Sequence, residues 1–126
     1  MNLISGQTHG LAVMRDVGTA SNQVSQGSMT DDIRSALDDC VPANQNTVVM
    51  LGKNVGDLLN DAGLTWGWFQ GGFKPSSRTA DGTAVCATQH ANIAGALVTD
   101  YVPHHQPFQY YPSTANHITF RRAPSI

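Results

Sequence analysis

The most regular stretch of the sequence is an amphipathic pattern that runs directly into a strand-like segment. Four apolar residues repeat at i, i+3, i+4 and i+7 and share one face of a helix: Val55, Leu58, Leu59 and Ala62. Asn54 supplies the N-cap of this helix and Gly63 the C-terminal stop. Residues 64–69 follow at once and predict a strand, with Trp66 and Trp68 on one face in a packing role. A helix, a glycine turn and a strand form an αβ unit, which favours an α/β protein with a parallel sheet.

The remaining segments predict short elements joined by many loops. Residues 1–30 are rich in Gly, Ser, Thr and Gln, and we expect a single strand there, over 11–14. Thr30 is suited to cap a short helix that ends near Asp39. The β-branched run Thr47–Met50 predicts a strand. We expect the apolar stripe of the later helix to pack against the sheet.

The length and charge of the chain limit the classes of protein to which it can belong. With 126 residues, 40% of them hydrophobic, the chain is close to the size of one domain. Seven Lys and Arg against nine Asp and Glu give a formal charge of −2, which disfavours nucleic acid and anionic membranes as partners. The longest apolar runs are about five residues and a bilayer requires about 20, so we expect no transmembrane segment. Residues 1–6 lack the basic opening and the apolar core of a signal peptide.

The two cysteines predict a covalent constraint. Cys40 and Cys86 are 46 positions apart, outside any CxxC or His-rich cluster, which argues against a metal site. Two interpretations remain: a disulfide, which stabilises a loop of this length by about 4 kcal/mol in the chain-entropy model, or two unrelated buried thiols. Because both flanks are turn-rich, we favour the disulfide, and with it an exported protein.

Residues 100–111 contain the side chains best suited to chemistry. Pro103 and Pro107 argue against a helix. On an extended chain, neighbouring side chains point to opposite sides, so we expect His104 and His105 not to share a metal ion. Hydrogen bonding or proton transfer at a cleft then remains, because imidazole donates to phosphoryl oxygens or protonates a leaving group near neutral pH. A pair of solvated histidines is the alternative.

Three blocks of sequence resemble a known family. They are residues 54–59 (NVGDLL), 65–73 (TWGWFQGGF) and 100–116 (DYVPHHQPFQYYPSTAN). Together they closely resemble the bacterial phosphoesterase family of acid phosphatases and phospholipases C, and the third block is long and unusual enough to be specific. Residues 1–6 also look like the part of the family that follows its nucleophile.

The resemblance implies a fold similar to that of alkaline phosphatase, with this chain as part of a loop-rich α/β sheet-and-helix domain. It also implies a Ser or Thr nucleophile just before Met1 and a divalent metal ion whose carboxylate and Asn ligands lie outside residues 1–126. On this basis, residues 1–126 form a single partial domain from the interior of a larger enzyme. Ser5 and Thr8 match no nucleophile position, and residues 118–124 depart from the family pattern.

The function implied by the resemblance is hydrolysis of a phosphoric ester by a periplasmic or secreted acid phosphatase or phospholipase C. Only His104 and His105 carry over as active-site residues, as donors to phosphate oxygens or as the acid for the leaving group. The expected partners are a phosphate monoester or phospholipid substrate and the remaining segments of the parent enzyme. The rival hypothesis is a catalytically silent structural or binding fragment.

Overall fold

The chain folds into short helices and strands, which a computed structural model describes for residues 2–7, 10–16, 32–42, 44–70, 75–86 and 88–115. The α-helices of these residues are α1 (Asn2–Ser5) and α2 (Val55–Asp61). The strands are β1 (Leu11–Arg15), β2 (Arg34–Ser35), β3 (Thr47–Met50), β4 (Ser77–Arg78), β5 (Ala84–Val85), β6 (Gln89–Ala91) and β7 (Leu97–Thr99). Two 3-10 helices follow, at Pro103–His105 and Pro107–Tyr110.

β3 is the centre of the main sheet, whose strand order is β1–β3–β2. It pairs antiparallel with β1, where Leu11 lies opposite Met50, and parallel with β2, where Arg34 lies opposite Thr47. All four residues of β3 are buried, which is typical of a strand covered on both faces. The strand predicted from the β-branched run is confirmed, and so is the strand predicted over 11–14.

The hydrophobic core lies between this sheet and the aromatic segment near the C-terminal end. Its members are Ile4, Ile33, Val48, Met50, Phe108, Tyr110 and Tyr111. The Tyr110 hydroxyl donates a hydrogen bond to the Ile33 carbonyl over 2.5 Å. Ser35 Oγ donates to the Gln109 carbonyl, also over 2.5 Å. Both bonds are buried, so the aromatic segment is tied to the sheet by polar contacts as well as by packing.

α2 is the helix that the apolar repeat predicts, and its ends match the predicted caps. The Asn54 side chain accepts a hydrogen bond from the Gly56 amide over 2.8 Å, and Asp57 Oδ2 accepts one from the Asn54 amide over 2.8 Å. The Asn54 side chain also accepts from the Asp57 amide, and the reciprocal bonds between Asn54 and Asp57 form a capping box. Gly63 follows with a φ of 67°, a left-handed conformation that favours glycine. No helix among the described residues is long and apolar enough to span a bilayer.

The apolar stripe of α2 faces solvent, contrary to the prediction that it packs on the sheet. Leu58 is 57% exposed and Val55 is 39% exposed. The buried position of the helix is Gly56, where a Cβ atom would lie 2.6 Å from Cη2 of Trp66. The helix therefore docks through a close approach of its backbone to an indole ring, which the spacing of apolar residues does not reveal.

Residues 64–69 do not form the predicted strand. Instead, Trp66 and Trp68 turn their rings onto Phe108, with ring centroids 4.7 and 5.6 Å away. Aromatic contacts of this kind favour tilted rings and give large contact area without a sheet. The packing role predicted for the two tryptophans is confirmed, and the prediction of a strand over residues 64–69 is wrong.

The helix predicted from Thr30 to about Asp39 is also wrong. Thr30 lies outside the described residues, and from residue 32 onward the chain forms β2 and then a turn. Ser35 of β2 is fully buried and bonds to Gln109, 74 positions away in the sequence. Such tertiary contacts outweigh the weak local preference of a short segment for a helix.

The predicted fold class, an α/β domain similar to that of alkaline phosphatase, is therefore contradicted. The sheets are small, and among the described strands only the pairing of β2 with β3 is parallel. An αβ unit requires a strand directly after its helix. Here α2 is followed by an irregular segment, so the unit on which the prediction depended does not form.

Residues 75–86 and 88–100 form two hairpins, which we term the hairpin arm. β4 pairs with β5 and β6 pairs with β7, both antiparallel. Every residue of β6 and β7 is exposed. Cys40 and Cys86 form a disulfide, with Cα atoms 5.6 Å apart. The predicted bridge is confirmed, and it attaches the arm covalently to the chain between β2 and β3.

Candidate functional site

His104 and His105 lie on the first 3-10 helix, Pro103–His105, directly before the second, Pro107–Tyr110. Each helix begins with a proline, where the missing amide costs no hydrogen bond and the fixed φ suits the turn. The His105 amide donates to the Val102 carbonyl over 3.0 Å. The prolines exclude a continuous α-helix, as predicted, but they begin two short turns rather than an extended segment.

The two imidazole rings pack against each other, contrary to the prediction that they point to opposite sides. The ring centroids of His104 and His105 are 4.4 Å apart, and the ring planes meet at 89°. The backbone explains the difference, because successive side chains of a 3-10 turn are separated by about 120° rather than by the 180° of a strand. The turn thus brings four ring nitrogens into one small region.

Arg34 of β2 adds a guanidinium group to this pair. Its Nη1 contacts Nδ1 of His104, 70 positions away in the sequence. Its Nε donates to Oε1 of Gln45 over 3.1 Å, so that the group is held on two sides. The junction of β2 and the first 3-10 helix therefore combines a permanent positive charge with two imidazoles.

Asp32, just before β2, completes what we term the histidine cluster: Asp32, Arg34, His104 and His105. The Oδ2 atom of Asp32 lies 3.9 Å from Nε2 of His104. The side chain of Asp32 is 78% exposed, and that of His104 is 21% exposed. Burial and the charge of Arg34 lower the pKa of His104, and Asp32 opposes this shift. Burial and Arg34 thus favour the neutral form of the His104 ring, which has one donor nitrogen and one acceptor nitrogen.

A buried hydrogen bond holds the chain just before the histidines. The Tyr101 hydroxyl donates to Oδ2 of Asp38, whose Oδ1 accepts from the Cys40 amide over 2.8 Å. Burial raises the pKa of Asp38, and burial together with Asp38 raises the pKa of Tyr101. This pair connects the segment that enters the histidine turn to the segment that carries the disulfide.

The sequence pattern indicates two members of the cluster, His104 and His105, but neither Arg34 nor Asp32. No local pattern marks the two missed residues. They reach the histidines only because β2 pairs with β3 and because Ser35, beside Arg34, bonds to the second 3-10 helix. The signal that would reveal them is the burial of β2, which depends on residues about 70 positions away.

The Ser5 hydroxyl is used within its own loop, where it donates to the Gln7 carbonyl over 2.7 Å. Thr8 lies outside the described residues, and so do residues 118–124 of the tail. Among the residues that the structure describes, no group of three or more His, Cys, Asp or Glu side chains is placed to hold a metal ion.

Comparison with models of known protein families finds no match to this chain, and no curated protein matches it. The resemblance to phosphoesterases therefore stays a prediction from the three sequence blocks. In the structure, residues 54–59 begin α2 and residues 65–70 place the tryptophans on Phe108. Residues 100–115 contain both 3-10 helices and the two histidines.

Proposed function

We propose that this chain is part of a phosphoric ester hydrolase, an acid phosphatase or a phospholipase C, in which His104 and His105 form one wall of the phosphate site. The observation behind the proposal is the contact of Arg34 with an imidazole pair whose ring centroids are 4.4 Å apart. Nitrogen donors beside a guanidinium charge suit an oxyanion such as a phosphoryl group. The three sequence blocks include both histidines and support the same function.

The two histidines differ in exposure and therefore in the role that suits them. His104 is largely covered and neutral, so it is able to donate one hydrogen bond to a phosphoryl oxygen. His105 is exposed, and in its protonated form it is able to donate a second bond or to pass a proton to the leaving oxygen. Both act from a turn that Pro103 and Pro107 brace, which keeps reorganisation small.

The nucleophile and the metal ion of the proposed reaction come, on the resemblance, from residues outside 1–126. The described residues do not fit a divalent metal ion, because no three potential ligands converge. No step through a metal ion is therefore derived from this chain. Its proposed contributions are hydrogen bonds to the phosphoryl oxygens, positive charge and a proton.

The proposed substrate is a phosphate monoester or a phospholipid, and the proposed partners are the remaining segments of the parent enzyme. The Cys40–Cys86 disulfide fits a secreted protein, because disulfides persist in oxidising compartments. Location in the periplasm or outside the cell follows as part of the proposal.

The first test compares alanine variants of three histidines in the full parent enzyme. His104→Ala and His105→Ala should each lower kcat/KM by about 10²–10⁴-fold, the range for loss of a positioned donor or acid. His90 is the matched control, because it is an exposed histidine of β6 whose Nδ1 bonds to Asp100 over 2.6 Å. Its alanine variant should retain the wild-type rate. Full activity in both cluster variants would overturn the proposal and favour the silent structural or binding fragment.

The isolated 126-residue chain provides a second test. We expect it to hydrolyse p-nitrophenyl phosphate no faster than buffer in the presence of a divalent metal, since the proposed nucleophile lies elsewhere. Inorganic phosphate should nevertheless shift the NMR signals of His104 and His105 and leave those of His90 unmoved. Metal-dependent turnover by this chain would contradict the placement of the nucleophile and direct attention to Ser5 and Thr8.

A further inference from the structure

Arg34 contacts His104 at the ring nitrogen Nδ1 rather than at Nε2. We propose that Arg34 is a positioning residue that holds His104 in the tautomer with its proton on Nε2 and so presents a single N–H donor to a phosphoryl oxygen. The tautomer follows from the contact itself, whereas the phosphoryl oxygen as its acceptor rests on the proposed function.

The chemistry of the two groups selects the tautomer. A guanidinium group has five N–H donors and no acceptor, so the nitrogen that it contacts must accept. A neutral imidazole has one donor and one acceptor nitrogen, and when Nδ1 of His104 accepts, the proton is on Nε2. The other neutral tautomer and the imidazolium ion both place an N–H group at Nδ1, opposite the N–H of Arg34. Only one of the three forms of His104 is therefore compatible with the contact.

The backbone and a neighbouring amide fix Arg34 in place. Arg34 pairs with Thr47 of the central strand, and its Nε donates to Gln45 over 3.1 Å. The next residue, Ser35, is fully buried and bonds to the Gln109 carbonyl of the second 3-10 helix over 2.5 Å. The distance between Arg34 and the histidine turn is thus set by the core and not by two mobile side chains. This is the condition under which a side chain positions another one.

Three charged or titratable groups face the His104 ring. Arg34 contacts Nδ1, Asp32 lies 3.9 Å from Nε2, and the His105 ring lies at a centroid distance of 4.4 Å. Burial disfavours a second proton on the ring most strongly, Arg34 and His105 also disfavour it, and Asp32 favours it. The carboxylate of Asp32 is 3.9 Å from Nε2, too far to accept a hydrogen bond, so Asp32 does not use this N–H. Loss of Arg34 would remove one of the influences that lower the pKa of His104 and leave burial and His105 opposed by Asp32.

Histidine labelled with ¹⁵N in the 126-residue chain provides the test, because protonated and unprotonated ring nitrogens resonate at different positions. We expect the wild-type spectrum at pH 7 to show His104 with the proton on Nε2. Arg34→Met keeps the length of the side chain and removes every donor, so His104 should become a mixture of tautomers with a raised pKa. Arg34→Lys retains a group that only donates and should restore the wild-type tautomer.

Arg78→Met is the matched control, since Arg78 lies in the hairpin arm, pairs with Asp39 and does not contact the cluster. The His104 signals should not change in this variant. If Arg34→Met fails to fold, Arg34→Gln replaces it, because its amide group both donates and accepts and so no longer selects one tautomer. A wild-type His104 that carries its proton on Nδ1 or is an imidazolium at pH 7 would overturn the inference, and so would an unchanged tautomer in folded Arg34→Met.

Assays of the parent enzyme separate this inference from the proposed function. If His104 supplies the donor, Arg34→Met should lower kcat/KM by about tenfold or more, mainly through kcat, and Arg34→Lys should recover most of it. If the spectra show the expected tautomer and its loss in Arg34→Met while all histidine variants keep full activity, the positioning role stands and the hydrolase proposal fails. If activity depends on His104 and the tautomer does not depend on Arg34, the hydrolase proposal stands and the positioning role fails.

Discussion

Strand β3 and the hairpin of β6 and β7 contain similar apolar residues and lie in opposite environments. All four residues of β3 are buried, whereas Ile93 is fully exposed and Leu97 is 69% exposed. β3 has a strand on each side and a cover of aromatic rings. Within the described residues, β6 and β7 pair only with each other. In this chain the burial of a strand depends on the elements that pack around it and not only on the hydrophobicity of its residues.

The core and the hairpin arm also differ in the contacts that hold them to the rest of the chain. Core hydrogen bonds, such as that from Gln109 Nε2 to the Leu37 carbonyl, join residues 72 positions apart. The hydrogen bonds of the hairpin arm are mostly local, and its ion pair between Arg78 and Asp39 is solvent-exposed and contributes little. The disulfide is therefore the strongest described attachment of the arm to the core.

The largest expected difference in the free energy of unfolding is between an alanine substitution in the core and one in the hairpin arm. Met50→Ala empties a fully buried site and should lower the free energy of unfolding by about 2–5 kcal/mol. Ile93→Ala removes a fully exposed side chain and should change it by at most about 0.5 kcal/mol. Urea denaturation measures both values. Equal losses of unfolding free energy in the two variants would show that the arm is covered in solution. The core and the arm would then not differ in burial.

Removal of the disulfide should have the next largest effect. The double variant Cys40→Ser and Cys86→Ser opens a loop of 46 residues and should lose about 2–4 kcal/mol. Trypsin should then cleave after Arg78 sooner than in the wild type, while Arg34 in the core sheet stays protected. Early cleavage at both sites would mean that the disulfide supports the core as well as the arm.

A pair of substitutions in α2 tests how this helix is attached to the core. Gly56→Ala places a Cβ 2.6 Å from Cη2 of Trp66 and should cost about 1–3 kcal/mol through overpacking. Leu58→Ala removes a side chain that is 57% exposed and should cost about 0.5 kcal/mol. The apolar stripe alone predicts the reverse order, with a loss of about 2–5 kcal/mol for an emptied leucine site. Thermal or urea denaturation distinguishes the two orders.

The smallest expected effect is on how the free energy of unfolding depends on pH, through Asp38 near the disulfide. Burial raises the pKa of Asp38 above the ordinary value of 3.8, so the folded chain binds this proton more tightly than the unfolded chain. The resulting stability is fully present below pH 3.8 and is lost as the pH rises through the raised pKa. Asp38→Asn should therefore flatten the decline in unfolding free energy with rising pH. Asp61→Asn, in a side chain that is 60% exposed and pairs with Lys53, should leave the decline unchanged.

Local patterns in the sequence are sufficient for β3 and α2. A β-branched run and a capping box both act within a few residues, and the structure contains both elements. Local patterns do not predict strand β2 (Arg34–Ser35), because the contacts that hold these residues as a strand come from β3 and Gln109. The local pattern also mispredicts residues 64–69, where the two tryptophans pack their rings on Phe108 and the segment has no strand partner among the described residues.

The histidine cluster likewise contains two residues that the local sequence indicates and two that only tertiary contacts bring to the site. His104 and His105 are visible in the sequence because adjacent imidazoles between two prolines are unusual. Their edge-to-face geometry is not visible, since a proline is compatible with an extended chain and with the first position of a 3-10 turn. Arg34 and Asp32 join them only after the core has formed, so no spacing rule along the chain identifies these two residues.

The buried bonds from Tyr110 and Gln109 to residues 33 and 37 set the order in which the chain acquires its structure. The bonded residues are 77 and 72 positions apart, so each bond forms only after a long stretch of chain has been drawn together. During synthesis, the strands of the main sheet leave the ribosome well before residues 108–111, which cover them. In that interval the apolar residues of the sheet lack the aromatic cover that they have in the folded chain, and exposed apolar surface of this kind promotes aggregation of a nascent chain.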